Sequence, residues 1–358
     1  MRVLMTTDAV GGVWTYSLDL ARALQPHGIH ITLAVMGPPP SPDHRAEAEA
    51  IGGVALHVGD YKLEWMEDPW EDLDAAGDWL LDLESRVRPD VVHLNGLVHG
   101  ALDWRAPCLV AGHSCVLSWW RSVRAEEAPD SWNRYRDAVC RGLRAADMVV
   151  APSTFMLASL NRDYGPLPER RVLFNGRPPE LFSAAPKEEL VLSCGRLWDE
   201  AKNVAALDAI APDLPWPVYI AGDSAGAAPF QNGRSLGKLS SRELADWMAR
   251  AAIYALPVRY EPFGLSVLEA AFSGCALVLG DVPSLREIWD DAALFVRPED
   301  HAGLRYAILT LIHDPSMRRR FAKLASERAR CYTADRMARG YRDTYDHLMN
   351  TGAPMAAR

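Results

Sequence analysis

The sequence predicts two α/β domains, each built on a mostly parallel β-sheet, and three observations lead to this fold class. Short apolar runs alternate with amphipathic stretches, which is the pattern of repeated strand–helix units. The chain has 358 residues, more than one typical domain of about 150, and 49% of them are hydrophobic, enough to bury two cores. A stretch rich in proline and glycine at 175–186 interrupts the alternation near mid-chain.

The predicted first domain begins with a short strand and a helix that are joined by glycines. Residues 3–5 form an apolar run, and Gly11–Gly12 then end the strand. Apolar residues at helical spacing follow at Val13, Tyr16, Leu20 and Leu24. Further strands are predicted at 29–35, 54–58, 91–94, 108–111, 148–151 and 172–174. Helices are predicted at 71–87, 131–145 and 153–162, which completes one α/β domain.

The predicted second domain follows the stretch NGRPPELFSAAP at 175–186, because this composition continues neither a helix nor a central strand. Strands are predicted at 190–194, 217–221, 252–256, 276–279 and 293–296, and helices at 202–210, 240–251, 265–273 and 300–313. From residue 316 the chain is predicted to be helical to about 349, with an interruption near Tyr332–Thr333. We therefore expect domains at 1–176 and 177–332, followed by a C-terminal helix within 333–358.

Composition argues against several classes of protein. The longest apolar stretches, such as 148–151 and 275–279, are far shorter than the ~18 residues of a membrane-spanning helix. The N-terminal residues lack the apolar core of a secretory signal, so we expect a cytoplasmic protein. Six cysteines without a CxxC pair argue against a disulfide framework or a zinc ribbon. A net charge of −9 disfavours nucleic acid as a partner.

Three common ligand-binding motifs are absent or incomplete. The chain has no GxGxxG, and GRSLGK at 233–238 is one residue short of a P-loop and lacks its Ser or Thr. The triplet Asp72-Leu73-Asp74 has the form of a metal-binding DxD, but it lies in an acidic helical segment and is better interpreted as a solvated helix face. We therefore expect no metal ion and no cofactor.

Gly11 and Gly12 lie between the first strand and the first helix of the predicted sheet. Backbone N–H groups and a helix N-terminus can face an anion at such a position. The alternative is a tight turn whose glycines need a positive φ, and the dipeptide alone favours neither role decisively.

Charged residues gather around two segments of the second domain. In CGRLWDEAKN, Arg196 follows a strand and Lys202 is predicted to begin a helix, where two cations would meet ligands at the carboxyl ends of parallel strands. In RYEPFGLSVLEA, Glu261 precedes a turn and Glu269 falls in the following helix. Carboxylates can accept hydrogen bonds from a diol, and N–H groups at Phe263, Gly264 and Leu265 can bind hydroxyl or phosphate oxygens.

These residues resemble the family 4 retaining glycosyltransferases, which have the GT-B fold of two Rossmann-like domains facing each other across a cleft. The similarity covers nearly the whole chain. It rests on Asp8-Ala9-Val10-Gly11-Gly12-Val13, PDVVH at 89–93, His113, Asn175-Gly176, Gly195-Arg196-Leu197 with Lys202, and Glu261 with Glu269. The last pair, with seven residues between its members, is the most specific of these motifs.

The resemblance implies a nucleoside-diphosphate sugar held chiefly by the second domain. Arg196 and Lys202 would neutralise the diphosphate, and Glu269 would hold the ribose hydroxyls. Glu261 and the amides of Phe263, Gly264 and Leu265 would hold the donor sugar, and Gly11–Gly12 would reach the diphosphate. The resemblance further implies that the leaving phosphate receives the acceptor proton and that the C-terminal helix returns to the first domain. The stripe Met337, Tyr341, Tyr345 and Leu348 would pack there.

The first domain is expected to receive a carbohydrate or lipid-linked acceptor. His113 is the expected catalytic residue of this side, with Asp8 and Trp119 as weaker candidates. Tryptophans such as Trp65 and Trp119 can stack on sugars or lie at a membrane interface, but helices also bury them routinely. His93 is interpreted as a structural histidine at a strand end. Peripheral contact with the inner face of the membrane remains an open alternative.

The sequence departs from the family pattern at two places, and two other functions are also compatible with it. The stretch 224–235 is short for the family, and Gly280–Asp281 stands where a double glycine is usual, which would bring a carboxylate near a diphosphate. A catalytically silent subunit could use the same residues to bind a sugar nucleotide. Glycan phosphorylases and epimerases also have this fold, so the fold does not distinguish them. A pyridoxal chromophore would indicate a phosphorylase, and donor hydrolysis would exclude a silent subunit.

Overall fold

The computed structural model describes residues 1–223, 226 and 230–351. The chain divides into two compact units. The first contains residues 1–121, 126–175 and the C-terminal segment from 334, and the second contains 122–125 and 176–333. In the described part of the chain, no helix combines the length and apolar character that a membrane span requires.

A parallel sheet forms the centre of the first unit. Its seven strands in the described residues are β1 (Arg2–Asp8), β2 (His30–Met36), β3 (Val54–Val58), β4 (Val91–Leu94), β5 (Cys108–Ala111), β6 (Met148–Ala151) and β7 (Glu169–Val172). They lie in the order β3-β2-β1-β4-β5-β6-β7. Because β1, β4 and β5 are neighbours, the residues that follow them meet at one edge of the sheet.

Six helices connect these strands along the first part of the described chain. They are α1 (Gly12–Leu24), α2 (Pro42–Glu49), α3 (Trp70–Val87), α4 (Val116–Arg124), α5 (Asn133–Ala145) and α6 (Thr154–Tyr164). The helix α1 buries Leu20 and Leu24 of the predicted apolar stripe against the sheet. Ser153 begins α6, since its hydroxyl accepts a hydrogen bond from the Met156 N–H.

A second parallel sheet forms the centre of the second unit. In the described residues its strands are β8 (Glu188–Cys194), β9 (Val218–Ala221), β10 (Arg234–Gly237), β11 (Ala251–Leu256), β12 (Ala276–Gly280) and β13 (Leu294–Val296). They lie in the order β10-β9-β8-β11-β12-β13. Alternate residues of β8 enter different cores: Leu190 and Leu192 pack on one side of the sheet and Val191 on the other.

The helices of the second unit cover both faces of this sheet. They are α7 (Val204–Ile210), α8 (Ser241–Arg250), α9 (Leu265–Phe272), α10 (Pro283–Trp289), α11 (His301–His313) and α12 (Pro315–Ala329). A capping box of Ser240 and Glu243 begins α8. Asp314 caps α12 through its carboxylate.

The last helix, α13 (Ala334–Thr351), belongs to the first unit, as the family resemblance implies. It packs against α1 and β4. The predicted stripe is buried, with exposed fractions of 3% or less for Met337, Tyr341, Tyr345 and Leu348. The chain interruption predicted near Tyr332–Thr333 is also confirmed, because α12 ends at Ala329.

Several sequence predictions of secondary structure were wrong or incomplete. The seventh strand was predicted at 172–174 but covers Glu169–Val172, an edge strand whose charged residues hide the apolar pattern. The elements α2, α4, β10 and α10 were not predicted. Only Ala48 is buried in α2, so this helix has no apolar stripe to detect. The helix predicted from 202 begins at Val204, and Lys202 lies in a 3₁₀ turn before it.

Candidate functional site

The candidate site of the second unit lies where three neighbouring strands end. Gly195 and Arg196 follow β8, a loop from Pro257 to Gly264 follows β11, and Asp281 follows β12. This carboxyl edge is where parallel α/β sheets bind their ligands. The structure thus brings together residues that the sequence places in separate motifs.

Lys202 and Glu261 form an ion pair at this edge although 59 positions separate them in the chain. The Lys202 Nζ lies 2.6 Å from the Glu261 Oε2, and the side chains are only 16% and 13% exposed. Asn203, in a left-handed conformation with φ 51°, donates hydrogen bonds of 2.8 Å to the carbonyls of Pro257 and Pro298. The turn that carries Lys202 is therefore tied to the loops after β11 and β13. The Ser284 hydroxyl donates to the Glu261 carbonyl and holds that residue in place.

Arg196 is the more accessible cation of the site. Its guanidinium donates to the Asp199 carboxylate at 2.8 Å and lies 5.4 Å from the Trp198 ring centre. The other oxygen of Asp199 accepts from the Ala201 N–H at 3.0 Å, so Asp199 holds both the cation and the turn. The Arg196 side chain is 42% exposed, which leaves other guanidinium N–H groups available to a ligand.

Glu269 pairs with a buried arginine. Its Oε1 lies 2.9 Å from the Arg177 Nε, and the side chains are 12% and 7% exposed. The Arg177 guanidinium also lies 5.2 Å from the Phe182 ring centre. Arg177 stands in the proline-rich boundary stretch, whose composition predicts a linker, so it was not predicted as a site residue. A buried arginine beside Glu269 could be found only from the fold.

The N-terminus of α9 supplies backbone donors beside these ion pairs. Gly264 caps the helix with φ 90°, and a Cβ there would approach Val267 and Leu285 to 3.1 and 3.2 Å, so the position requires glycine. The Phe263 N–H is directed at the Glu261 carboxylate at 3.5 Å. The N–H groups of Gly264 and Leu265 donate to no group among the described residues.

Asp281, whose carboxylate would repel a diphosphate that it faced, has its own cation. Arg286 forms two hydrogen bonds to its carboxylate, at 2.6 and 2.8 Å. This guanidinium lowers the pKa of Asp281 below its usual value. The charge of Asp281 is therefore balanced locally. The adjacent Gly280 packs on the Val258 carbonyl so closely that a side chain would not fit.

The glycine loop of the first unit does not require a positive φ. Gly11 has φ −159°, and α1 begins at Gly12 without a side-chain cap. The loop is shaped by Asp8, whose Oδ1 accepts a hydrogen bond from the Val10 N–H at 2.9 Å. The interpretation of this dipeptide as a tight turn that needs a positive φ was therefore wrong. The first N–H groups of α1 are left to face a ligand.

A cleft of about 120 Å³ opens within the first unit at the carboxyl edge of its sheet. Its walls include Asp8, Glu64, Trp65, Asn95 and His113. Trp65 is 41% exposed and therefore offers an indole face to solvent. Trp119, by contrast, lies on α4 in an edge-to-face contact with Trp120 and does not border this cleft. Of the two weaker candidates, the structure brings only Asp8 to the cleft.

His113 is held in the cleft wall by two contacts. Its Nε2 lies 2.8 Å from the Asn95 Oδ1, and its ring meets the edge of the Tyr16 ring at 4.4 Å between centres. Burial lowers the pKa of His113 to about 4. The imidazole is therefore neutral at physiological pH.

His93 lies behind this site and is completely buried. Its Nδ1 is 2.7 Å from the Tyr345 hydroxyl of α13, its Nε2 is 3.4 Å from the Tyr16 hydroxyl, and its ring stacks on Tyr341. Burial, and then the neighbouring His113, lower the pKa of His93 to about 3. These contacts agree with a structural histidine.

Glu64 is a further carboxyl group of the cleft and was not predicted from the sequence. Its Oε2 accepts hydrogen bonds from the Leu97 and Val98 N–H groups at 2.8 and 3.0 Å. Desolvation nevertheless raises its pKa to about 7 against these two hydrogen bonds. The group carries no motif in the sequence, and only the fold brings it to the cleft.

Comparison with known proteins assigns the family. Residues 10–181 match the model of Glycosyltransferase Family 4, and residues 188–314 match that of Glycosyl transferases group 1. A glycogen synthase of Mycobacterium tuberculosis is 38% identical over 380 residues, which cover 92% of this chain and 90% of the relative. The chain belongs to glycosyltransferase family 4.

Solved structures agree with the fold of this family 4 glycosyltransferase. Sucrose-phosphate synthase from Thermosynechococcus elongatus matches with a TM-score of 0.83 at 19% identity, over 98% of this chain and 100% of that chain. Anabaena HepE, solved in complex with UDP-glucose, matches with a TM-score of 0.79 at 18% identity, over 97% and 100%. The predicted family and the two-sheet GT-B fold are therefore confirmed.

Some of the predictions concern residues that the structure does not cover. Residues 224, 225 and 227–229 of the short stretch, and 352–358 at the C-terminus, lie outside the described residues. Asp72 and Asp74 lie on α3, and the described residues contain no group of three or more His, Cys, Asp or Glu that could hold a metal ion.

Proposed function

We propose that this family 4 glycosyltransferase transfers a sugar from a nucleoside-diphosphate sugar to a carbohydrate acceptor, with retention of the anomeric configuration. The Lys202–Glu261 pair carries the proposal, because it joins the two family motifs at the ligand-binding edge of a parallel sheet. An ion pair with no ligand to bind would usually lie at the surface and be largely exposed to solvent. Here each side chain is less than one fifth exposed.

The donor diphosphate would bind at Lys202 and Arg196. Both cations have carboxylate partners, Glu261 and Asp199, with which phosphate oxygens would compete. Transfer of Lys202 to the diphosphate would free Glu261 for the hydroxyls of the donor sugar. The N–H groups of Gly264 and Leu265 would bind the same ligand, and Glu269 would bind the ribose. The UDP-glucose in HepE makes a UDP sugar the first donor to test.

The proposed reaction needs no protein nucleophile. The bond between the anomeric carbon and the phosphate oxygen breaks, and the acceptor hydroxyl oxygen forms the new bond on the same face. Its proton passes to the leaving phosphate, which departs as part of the nucleoside diphosphate. Lys202 and Arg196 would stabilise the negative charge that develops on that phosphate.

The acceptor would bind in the cleft of the first unit. His113, Glu64 and Trp65 offer a neutral imidazole, a carboxyl group and an exposed indole, which suit the hydroxyls and the apolar face of a sugar ring. The name of the Mycobacterium relative, glycogen synthase, favours a carbohydrate over a lipid-linked acceptor.

The function can be tested in two stages. A thermal-shift panel of UDP, GDP, ADP and their sugar derivatives should show stabilisation by one nucleotide series. The best donor should then release its nucleoside diphosphate only with a saccharide such as glycogen, maltoheptaose or a sugar phosphate. Proton NMR of the product should show the donor's anomeric configuration. If the wild-type protein binds the donor tightly but releases no nucleoside diphosphate with any of these acceptors, the result would instead support a silent binding subunit.

A further inference from the structure

Asn95 links three neighbouring strands of the first unit. It follows β4, and its Nδ2 donates a hydrogen bond of 2.7 Å to the Thr6 carbonyl on β1. Its backbone N–H donates to the Thr6 Oγ1 at 2.8 Å. A carbonyl oxygen can only accept, so the NH₂ group of the amide must face Thr6. The Oδ1 of Asn95 is therefore directed to the other side, where His113 lies.

This orientation decides which nitrogen of His113 carries the proton. The Asn95 Oδ1 lies 2.8 Å from the His113 Nε2 and can only accept a hydrogen bond. The Nε2 must therefore be protonated. With its pKa lowered to about 4 by burial, the imidazole is neutral and holds one N–H, so Nδ1 keeps a lone pair.

The lone pair is left for a ligand. The His113 Nδ1 has no hydrogen-bond partner in residues 1–223, 226 and 230–351, and the side chain borders the cleft. The Tyr16 ring, 4.4 Å away between centres, restricts rotation of the imidazole. A group that hydrogen-bonds to this nitrogen must supply the hydrogen, which excludes carbonyl and phosphate oxygens without a proton.

We propose that Asn95 is a positioning residue that fixes the Nε2–H tautomer of His113, so that Nδ1 accepts a hydrogen bond from a sugar hydroxyl in the cleft. The inference rests on the proposed function only for the identity of the ligand. Asn95 acts through His113: its Nδ2 donates to the Thr6 carbonyl and the Ser17 hydroxyl, and its Oδ1 faces the His113 Nε2.

The tautomer can be measured without any substrate. Long-range ¹H–¹⁵N spectra of histidine-labelled protein, with His113→Gln to assign the signal, should show a protonated Nε2 and an unprotonated Nδ1. In Asn95→Ala this pattern should weaken toward a mixture of tautomers. In Asn95→Asp, which keeps an oxygen before Nε2, that nitrogen should stay protonated. A wild-type spectrum with a protonated Nδ1 would overturn the proposal.

Activity separates positioning from folding. With UDP-, ADP- or GDP-glucose and maltoheptaose, Asn95→Ala should lower kcat on the order of tenfold while the Kd for the nucleoside diphosphate stays within twofold. The matched control is Thr6→Val, which removes the bond to the Asn95 backbone but leaves both amide contacts. It should lower the Tm and keep the tautomer and most of the kcat.

The outcomes distinguish this proposal from the proposed function. Equal loss of kcat in Thr6→Val and Asn95→Ala, with an unchanged histidine spectrum, would show a merely structural role for Asn95. A wild-type protein that turns over no donor would contradict the proposed function, whereas the tautomer assignment would still be decided by the spectrum.

Discussion

The two candidate sites occupy equivalent places in their sheets but are held by different forces. Each lies where three neighbouring strands end, β1, β4 and β5 in the first unit and β8, β11 and β12 in the second. The second is built from ion pairs, Lys202 with Glu261 and Arg177 with Glu269. The first is held by neutral hydrogen bonds around His113. Under the proposed function, the edge of the second sheet would bind the anionic diphosphate and the cleft of the first unit would bind sugar hydroxyls.

The physical reason is the cost of burying charge. A buried cation is tolerated when a carboxylate balances its charge, and an anionic ligand can then replace that carboxylate beside the cation. Burial lowers the pKa values of His113 and His93 to about 4 and 3, so neither supplies a positive charge near neutral pH. We infer that each unit recognises ligands of one charge class.

Removal of α13 should cause the largest loss of stability. It would test whether the hydrogen bonds around His93 and His113 depend on this helix. Truncation after Ala334 removes Met337, Tyr341, Tyr345 and Leu348, each worth roughly 1.5–3 kcal/mol when buried. The sum is comparable to the whole stability of a domain, about 5–15 kcal/mol. Hydrogen exchange should show that β1 and β4 lose protection.

The second unit is the internal control for this truncation. Protection of β8 and β11 should persist, because α13 belongs to the first unit. A truncated chain that retains wild-type melting and transfer would show that the helix is dispensable. Equal loss of protection in both units would show that it stabilises the whole chain.

Glu269→Gln should have the next largest effect, because it removes the negative charge 2.9 Å from the buried Arg177 Nε. Breaking such a pair costs about 3–5 kcal/mol, and a glutamine oxygen would recover part of that. Urea denaturation should therefore show lower stability, and calorimetry should show weaker binding of the nucleoside diphosphate. Glu299→Gln is the matched control, since Glu299 is 71% exposed beside Arg259 and should change neither.

Glu261→Gln sharpens the division of roles within the second unit. It should affect chiefly turnover of the sugar nucleotide, with a smaller change in affinity for the nucleoside diphosphate, if its contact tightens in the transition state. Identical losses for both ligands in Glu261→Gln and Glu269→Gln would contradict separate sugar and ribose contacts.

Lys202→Ala tests directly whether the site of the second unit binds an anionic ligand. Loss of one charge-assisted hydrogen bond, worth roughly 1.5–3 kcal/mol, should weaken the nucleoside diphosphate about 10- to 100-fold. The uncharged nucleoside should bind as before. Lys323→Ala, at a lysine 77% exposed, is the control for removing a positive charge. If calorimetry gives the same diphosphate affinity for Lys202→Ala and wild type, the diphosphate lies elsewhere.

Sequence alone predicted most of the strands, both sheets and the motifs whose residues the structure brings together in the second unit. Buried parallel strands are continuous apolar runs, and Arg196, Lys202, Glu261 and Glu269 stand in recognisable motifs. The partners could not be predicted, because Arg177, Asn95 and Glu64 lie far along the chain from the groups they contact. The helix α2 was missed for a related reason: it buries too little to show an apolar period.

The smallest expected effect concerns Glu64, which lines the cleft of the first unit together with Asp8. Its pKa is raised from 4.5 to about 7, so folding takes up a proton between these pH values. The free energy of unfolding should therefore fall as pH rises from about 4.5 to about 7. Since the half-buried carboxyl borders an open cleft, we expect a change of about 1 kcal/mol. Glu64→Gln keeps an oxygen for the Leu97 and Val98 N–H groups and should flatten this profile in urea denaturation. A variant as pH-sensitive as wild type over this range would assign the slope to other groups and leave Glu64 ionised in the cleft.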